Sequence, residues 1–240
     1  MRCLLIKNAD VYAPQPLGIV DILIINEKIA KIGPQLTTPQ GLDCQILDAQ
    51  NRKVVPGYVD QHVHIIGGGG ESGPYSRTPE INLSELTKVG ITTVVGVLGT
   101  DGTSRHNESL LAKARGLTHE GITAYMLTGS YEIPLHNMTG DVRRDIILIN
   151  ECLGIGEVAL SDHRSSQPTR EELEKVLTQA RLGGMLSGKA GVVQFHMGVG
   201  KRGMDVLLAI VREKSPPVIL SPPTSTVPSI FLSRPRNLPA

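Results

Sequence analysis

From Val54 onward the chain repeats a single rhythm, and that rhythm restricts the fold more than any other feature: an apolar run of strand character, a loop, a stretch of helical periodicity, then another apolar run. Val54 to His64 precedes Leu83 to Val89, Thr92 to Leu98 precedes Glu108 to Glu120, and Thr123 to Thr128 precedes Val142 to Asn150. Gly156 to Leu160 then precedes a helix from Arg170, and Val192 to His196 precedes Met204 to Lys214. A helix between two strands returns the chain to the edge it left, so the strands lie parallel with right-handed crossovers. Five βα units are predicted. The fourth helix is specified best: Thr169 and Glu172 have capping-box spacing, and Leu173, Val176, Leu177 and Ala180 recur at helical intervals.

Two other regions flank the repeat. Residues 1–55 hold short strand-like runs, Cys3 to Ile6, Ile19 to Ile25 and Ile29 to Ile32, the last two spaced across Asn26-Glu27-Lys28 as in a hairpin. They predict a small β appendage and leave 56–214 for the βα units. Residues 215–240 form a Pro/Ser-rich tail with no acidic residue and a proline every few positions. Such a stretch cannot hold a helix, and it predicts irregular chain with one short strand at Val218 to Leu220.

Hydrophobic residues at 40% and charged residues at 20% are ordinary for a globular protein, and a net charge of +1 gives no field for nucleic acid or an anionic membrane. The expected partner is a small molecule. The N-terminal Met-Arg-Cys-Leu-Leu-Ile-Lys meets charge too early for a secretory leader, and no apolar run approaches membrane-spanning length. Cys3, Cys44 and Cys152 are odd in number, far apart and without Cys-x-x-Cys spacing, so they are expected as reduced thiols of a cytoplasmic protein.

Chemistry begins at His62-Val63-His64. Successive strand side chains face opposite ways, so His62 and His64 face the same way, as two ligands of one ion must. Gly67 to Gly70 break the strand just afterwards and place both imidazoles at its C-terminal mouth, where a (β/α) barrel carries its catalytic groups. The plainer alternative is a pair of strand histidines satisfied by hydrogen bonds. The later strands also end in polar residues: Thr100 after the second, Tyr131 after the third, Glu157 and then Asp162-His163-Arg164 at the fourth, and His196 on the fifth. Two histidines, a carboxylate and a further histidine converging on one mouth suit a pair of divalent ions, with an anionic oxygen ligand between them. Two alternatives stay open: Glu157 pairing with Arg164 in the barrel wall, and His163 standing behind the ligands. His106, His119 and His136 receive no role.

Two glycine-rich stretches compete for attention. Gly67 to Gly70 lacks the Gly-Lys-Ser/Thr ending of a phosphate loop and is expected to be a turn carrying Glu71 over the site. Gly198-Val-Gly200-Lys-Arg-Gly203 matches a dinucleotide fingerprint, yet no Asp or Glu occurs after Glu213 to hold a ribose, so NAD binding is not expected.

Together, Pro-Gly-Tyr-Val-Asp-Gln-His-Val-His with Gly-Gly-Gly-Gly-Glu71-Ser-Gly-Pro, Leu-Gly-Thr100-Asp, Gly-Ser-Tyr131, Ser161-Asp-His-Arg164-Ser and Val-Gln-Phe-His196-Met-Gly resemble the bacterial isoaspartyl (β-aspartyl) dipeptidases of the amidohydrolase superfamily. The resemblance runs from residue 1 to about Lys214, and His-x-His alone marks only the superfamily. It implies an α/β fold, a partial (β/α)8 TIM-type metal-dependent hydrolase barrel with a small N-terminal β appendage. It further implies a zinc metallopeptidase with two Zn2+ per site. His62 and His64 would hold one ion, His196 would contribute to the other, and Glu157 would bridge them where some members use a carboxylated lysine. By the same resemblance Glu71 holds the substrate's α-amino group, Arg164 a substrate carboxylate, Tyr131 polarises the scissile carbonyl and Thr100 lines the pocket. The implied reaction is hydrolysis of a β-aspartyl bond in a small dipeptide by a metal-bound hydroxide, in a protein that is a homo-oligomer in intact members.

The departure is informative too. Members of the family continue through three more barrel strands, with a histidine in a Thr-His-Val-Asn-Arg motif and a late aspartate that binds metal and serves as general acid/base; neither occurs here. Codon degeneracy permits Ser221 to Pro228 to be written so that another frame reads Pro-Thr-His-Val-Asn-Arg-Pro. The expectation is a frameshift after Lys214, an unclosed barrel prone to associate, and impaired turnover. Two other functions stay open: a dihydroorotase- or hydantoinase-like cyclic amidase, and a non-catalytic metal-binding fragment.

Overall fold

The computed structural model describes residues 2–213 and 220–221. Their contacts divide the chain into two compact units at the Gly57–Tyr58 bond.

The first unit is a five-stranded sheet. Its strands are β1 (Cys3–Tyr12), β2 (Pro16–Ile25), β3 (Lys28–Gly33), β4 (Cys44–Asp48) and β5 (Lys53–Val54). The predicted hairpin is β2–β3, turning at Asn26, which adopts the left-handed backbone that asparagine tolerates. The register of β1 against β2 slips between Ile6 and Ala9, so that Cys3 and Leu5 join one apolar cluster and Ala9 and Val11 another. The buried Asp21 carboxylate accepts the Asn8 and Leu36 N–H groups, each at 2.9 Å. The expectation of three separate thiols is corrected: β4 runs parallel to β1 with Cys3 opposite Cys44, and the two are joined as a disulfide. A sequence separation of 41 hid a direct cross-strand pair; Cys152 alone is free, and buried.

The second unit is α/β. Its strands β6 (Tyr58–Val63), β7 (Ile91–Gly96), β8 (Thr123–Thr128), β9 (Cys152–Leu160), β10 (Val192–Met197) and β11 (Leu220–Ser221) lie side by side in chain order. Every pairing between them is parallel. Between them run α1 (Leu83–Thr87), α2 (Asn107–Glu120), α3 (Val142–Leu148), α4 (Arg170–Ser187) and α5 (Asp205–Glu213), which gives the five predicted βα units. The capping box at Thr169 and Glu172 forms as read. One expectation needs correction: the apolar run from Val54 to His64 is not one strand. Val54 pairs with β1, Pro56 and Gly57 interrupt, and the barrel strand begins only at Tyr58, because proline lacks the N–H a ladder requires. The tail beyond Lys214 lies outside the described residues except for β11, which adds an edge strand beside β10 close to where one was expected.

The sheet is apolar on both faces, as parallel sheets are. One face packs Val94, Met126, Ile155, Val158, Val193 and Phe195 under the helices; a smaller cluster of Val95, Val97 and Leu127 belongs to the other, partial-barrel interior. The polar site residues cap that interior at the C-terminal ends of the strands.

Candidate metal centre

His62 stands near the end of β6, and His64 one residue beyond it. Their rings meet edge to face, 5.2 Å apart at 86°, so both do point to one side. His64 is held by its Nδ1 against the Val97 carbonyl at 3.3 Å, and it sits between two glycines. A Cβ on Gly99 would lie 2.6 Å from its Cε1, and one on Gly68 3.2 Å from its Cδ2. Gly99 also has φ +75°, so this close approach admits no other residue without strain.

Glu157 is 1% exposed, and a bulge governs its position. Ile155 faces Val193 and Val158 faces Phe195, so two residues of β9, Gly156 and Glu157, oppose the single Gln194 of β10. The carboxylate, on β9, lies between histidines from the ends of two other strands: Oε2 is 3.5 Å from His62 Nε2, and Oε1 is 2.8 Å from His196 Nδ1. Ligand-capable atoms of His62, His64 and Glu157 all fall within 4.8 Å of one another.

A second set of groups crowds His196. The Tyr131 hydroxyl is 2.7 Å from its Nδ1, with the two rings 4.7 Å apart, while its Nε2 is 3.0 Å from Arg164 Nη2 and 3.2 Å from Asp162 Oδ2. Guanidinium can only donate and carboxylate only accept, so Nε2 must accept to meet Arg164 and donate to meet Asp162, and no single tautomer serves both contacts, whereas an Nδ1 proton is offered to Glu157. Arg164 donates twice to Asp162, Nε to Oδ1 at 2.9 Å and Nη2 to Oδ2 at 3.0 Å, and once to Glu71 Oε1 at 3.1 Å. The structure thus replaces the Glu157–Arg164 pair weighed from the sequence with an Asp162–Arg164 pair. Thr100 lies in the turn after β7; among the described residues its side chain makes no hydrogen bond to this cluster. His163 points outward, 87% exposed, with its Nδ1 3.4 Å from Asp162 Oδ1.

The electrostatics follow from these contacts. The hydrogen bonds from Arg164 hold the Asp162 carboxyl well below the usual carboxylate range, and the same carboxylate raises Arg164. Burial pushes the Tyr131 phenol far up, with Glu157 adding to it, so the hydroxyl keeps its proton as a hydrogen-bond donor. Burial lowers His64, favouring neutral imidazole, whereas the hydrogen bond to Glu157 raises His196.

Two buried polar atoms here have no hydrogen-bond partner, His62 Nδ1 and Glu157 Oε2. Buried groups left unsatisfied are costly, and imidazole nitrogen with carboxylate oxygen is a zinc-type donor set, so the residues fit a divalent ion. What the sequence missed is Asp162, which was noted only as part of a motif. The signal was its place two residues before Arg164, since a short acidic side chain at that spacing also accepts the Arg164 N–H, at 2.8 Å. Gly198 and Gly200 turn out to be packing positions: a Cβ on either would lie within 2.6 Å of the Ser161–Asp162 backbone, which explains the glycine pattern without a nucleotide.

No protein-family model matches the chain. Among solved structures, β-aspartyl dipeptidase from the thermophilic, keratin-degrading Fervidobacterium islandicum AW-1 is 46% identical with a TM-score of 0.88, over 92% of this chain and 60% of that one. This chain is similar to a β-aspartyl dipeptidase. The same enzyme in complex with the dipeptide β-Asp-Leu is 45% identical, with a TM-score of 0.86 over 92% of this chain and 58% of that one. A Staphylococcus aureus dihydroorotase is 40% identical over 90 residues, 38% of this chain and 20% of its own. The chain therefore spans about three-fifths of the dipeptidase and a fifth of the dihydroorotase. More distant structures such as a Thermus D-hydantoinase, 18% identical with a TM-score of 0.55, share the fold. These relatives are hydrolases. No helix among the described residues is long and apolar enough to cross a membrane.

Proposed function

We propose that the centre hydrolyses the isopeptide bond of β-aspartyl dipeptides, with His62, His64, Glu157 and His196 holding divalent metal, zinc by choice of donors. The observation that carries this reading is the Glu157 carboxylate, buried between His62 and His196 with an oxygen directed at each. A pair of ions bound there supplies an activated water nucleophile at neutral pH and polarises a carbonyl. The rest falls to the chain's own groups. Tyr131, kept protonated by burial, donates to the oxygen that gains charge as the carbonyl is attacked. Arg164 and Glu71 present opposite charges at hydrogen-bond distance from each other, a match for a substrate that carries both a carboxylate and an ammonium. Thr100 lines the rim.

Within the 240 residues no histidine follows His196 and no aspartate follows Asp205, so these residues do not themselves supply the late acid/base that the resemblance implies. The test follows released leucine from β-Asp-Leu, with α-Asp-Leu as control, using the zinc-loaded chain and a longer one continued in the alternative frame. Expected are zinc binding by both, and β-selective hydrolysis by the longer one. The local match to dihydroorotase favours a cyclic amidase as second reading. Preference for dihydroorotate or hydantoin over β-Asp-Leu would replace the first reading with the second, and tight zinc binding without any turnover by the longer chain would leave only a metal-binding module.

A further inference from the structure

Two loops frame His64. One runs from Gly67 past Glu71, the other from Gly99 through Thr100 to the start of α2. Gly68 abuts one side of the imidazole and Gly99 another, so the separation of these loops decides where the ring sits. Both also carry a substrate-facing residue of the proposed site.

Arg105 ties them together. It ends the second loop, is 5% exposed, and donates Nη2 to the Gly68 carbonyl at 2.8 Å and Nη1 to the Gly69 carbonyl at 3.1 Å. Asp101, directly after Thr100, lies 3.5 Å from the same Nη1 and 2.9 Å from Nη1 of Arg77, whose backbone forms a bridge with Gly69. Asp101 Oδ1 in turn accepts the Thr103 and Ser104 N–H groups at 3.2 and 2.8 Å, which shapes its own loop. Among the described residues Arg105 Nε has no hydrogen-bond partner. A buried guanidinium with an unmet donor is poor material for stability, and an apolar side chain of similar volume would bury at less cost. What arginine alone supplies is a planar fork that spans two consecutive carbonyls.

We propose that Arg105 is a positioning residue for the metal centre, setting the gap between the Gly68 and Gly99 loops in which His64 is held and from which Glu71 reaches the substrate. The metal part of this inference rests on the reading of the site given above; the loop part does not. The test compares the full chain with Arg105→Gln, Arg105→Lys and, as a control for plain destabilisation, Leu117→Ala, which opens a cavity near the far end of α2. Hydrogen exchange of residues 64–73 in metal-free protein is expected to speed up about tenfold in Arg105→Gln, less in Arg105→Lys, and no more than elsewhere in Leu117→Ala. Zinc affinity by chelator competition is expected to fall about tenfold in Arg105→Gln, in the range lost when outer partners of metal ligands are removed, and to stay unchanged in Leu117→Ala. Exchange in 64–73 that matches the Leu117→Ala control overturns the inference, whatever zinc does. A wild-type chain that binds no zinc overturns the metal reading while exchange still decides the role of Arg105. Should the glutamine variant not fold, the lysine variant carries the same comparison.

Discussion

The centre has two halves built on different principles. The strand-borne half, His62, Glu157 and His196, sets a buried carboxylate between two partly buried rings and leaves His62 Nδ1 and Glu157 Oε2 without hydrogen-bond partners among the described residues. The loop-borne half, Glu71, Asp162 and Arg164, is more exposed at Glu71 and Arg164 and is saturated: the Arg164 side chain makes four hydrogen-bonding contacts, to Asp162, Glu71 and His196. Unmet donors in a rigid wall are what a tightly held ion completes. Satisfied ion pairs on loops are what an arriving charged ligand must exchange, at small net cost because each broken pair is replaced by another.

Five substitutions press on this contrast. Glu157→Ala removes the carboxylate shared by both sides and is expected to weaken zinc by more than about a hundredfold, beyond the loss of any outer partner, as read by chelator competition. If zinc binding survives it, the strand-borne half is not the ion's site. Arg164→Ala, in a chain that turns over β-Asp-Leu, should cost about 3 kcal/mol of transition-state binding, roughly a hundredfold in kcat/KM, with zinc affinity nearly intact. Asp162→Asn leaves Arg164 short of its main partner and should cost about 2 kcal/mol of stability near neutral pH. Its sign with pH is specific: Arg164 depresses the folded Asp162 pKa below its ordinary 3.8, so the stabilisation is complete above 3.8 and drains away as pH falls through and beyond it. Melting curves at about pH 6 and about pH 3 should therefore differ more for wild type than for the variant. Gly99→Ala forces a Cβ at φ +75° toward the His64 ring and should cost about 1 to 2 kcal/mol, with zinc binding falling in step. Thr169→Ala, which removes the α4 cap, should lower stability by about 1 kcal/mol and leave both halves untouched.

The strand-borne half was largely legible in the sequence. His62 and His64 follow from period two, the βα rhythm brings Glu157 and His196 to the same mouth, and the predicted units all formed. Three things were not legible. The Cys3–Cys44 bond depends on a parallel register between strands forty residues apart, which no local pattern encodes. The strand-like valines from Val54 to Val63 concealed a change of sheet, marked only by Pro56-Gly57. The importance of Asp162 lies in which arginine it reaches: sequence alone leaves both Glu157 and Asp162 within range of Arg164, and only the folded chain pairs Asp162 with it while Glu157 meets the histidines.

The bulge in β9 has a wider consequence. Ile155 and Val158 belong to the same apolar cluster although three positions separate them, so β9 steps once by three where β10 beside it steps by two from Val193 to Phe195. Deleting Gly156 would restore an even stride, keep every greasy side chain under its helix, and alter only how far the acid reaches along the strand. Scaffold and acid are thus adjustable by separate edits, and a lineage can retune the reach of its buried carboxylate by one codon without rebuilding the wall that carries it.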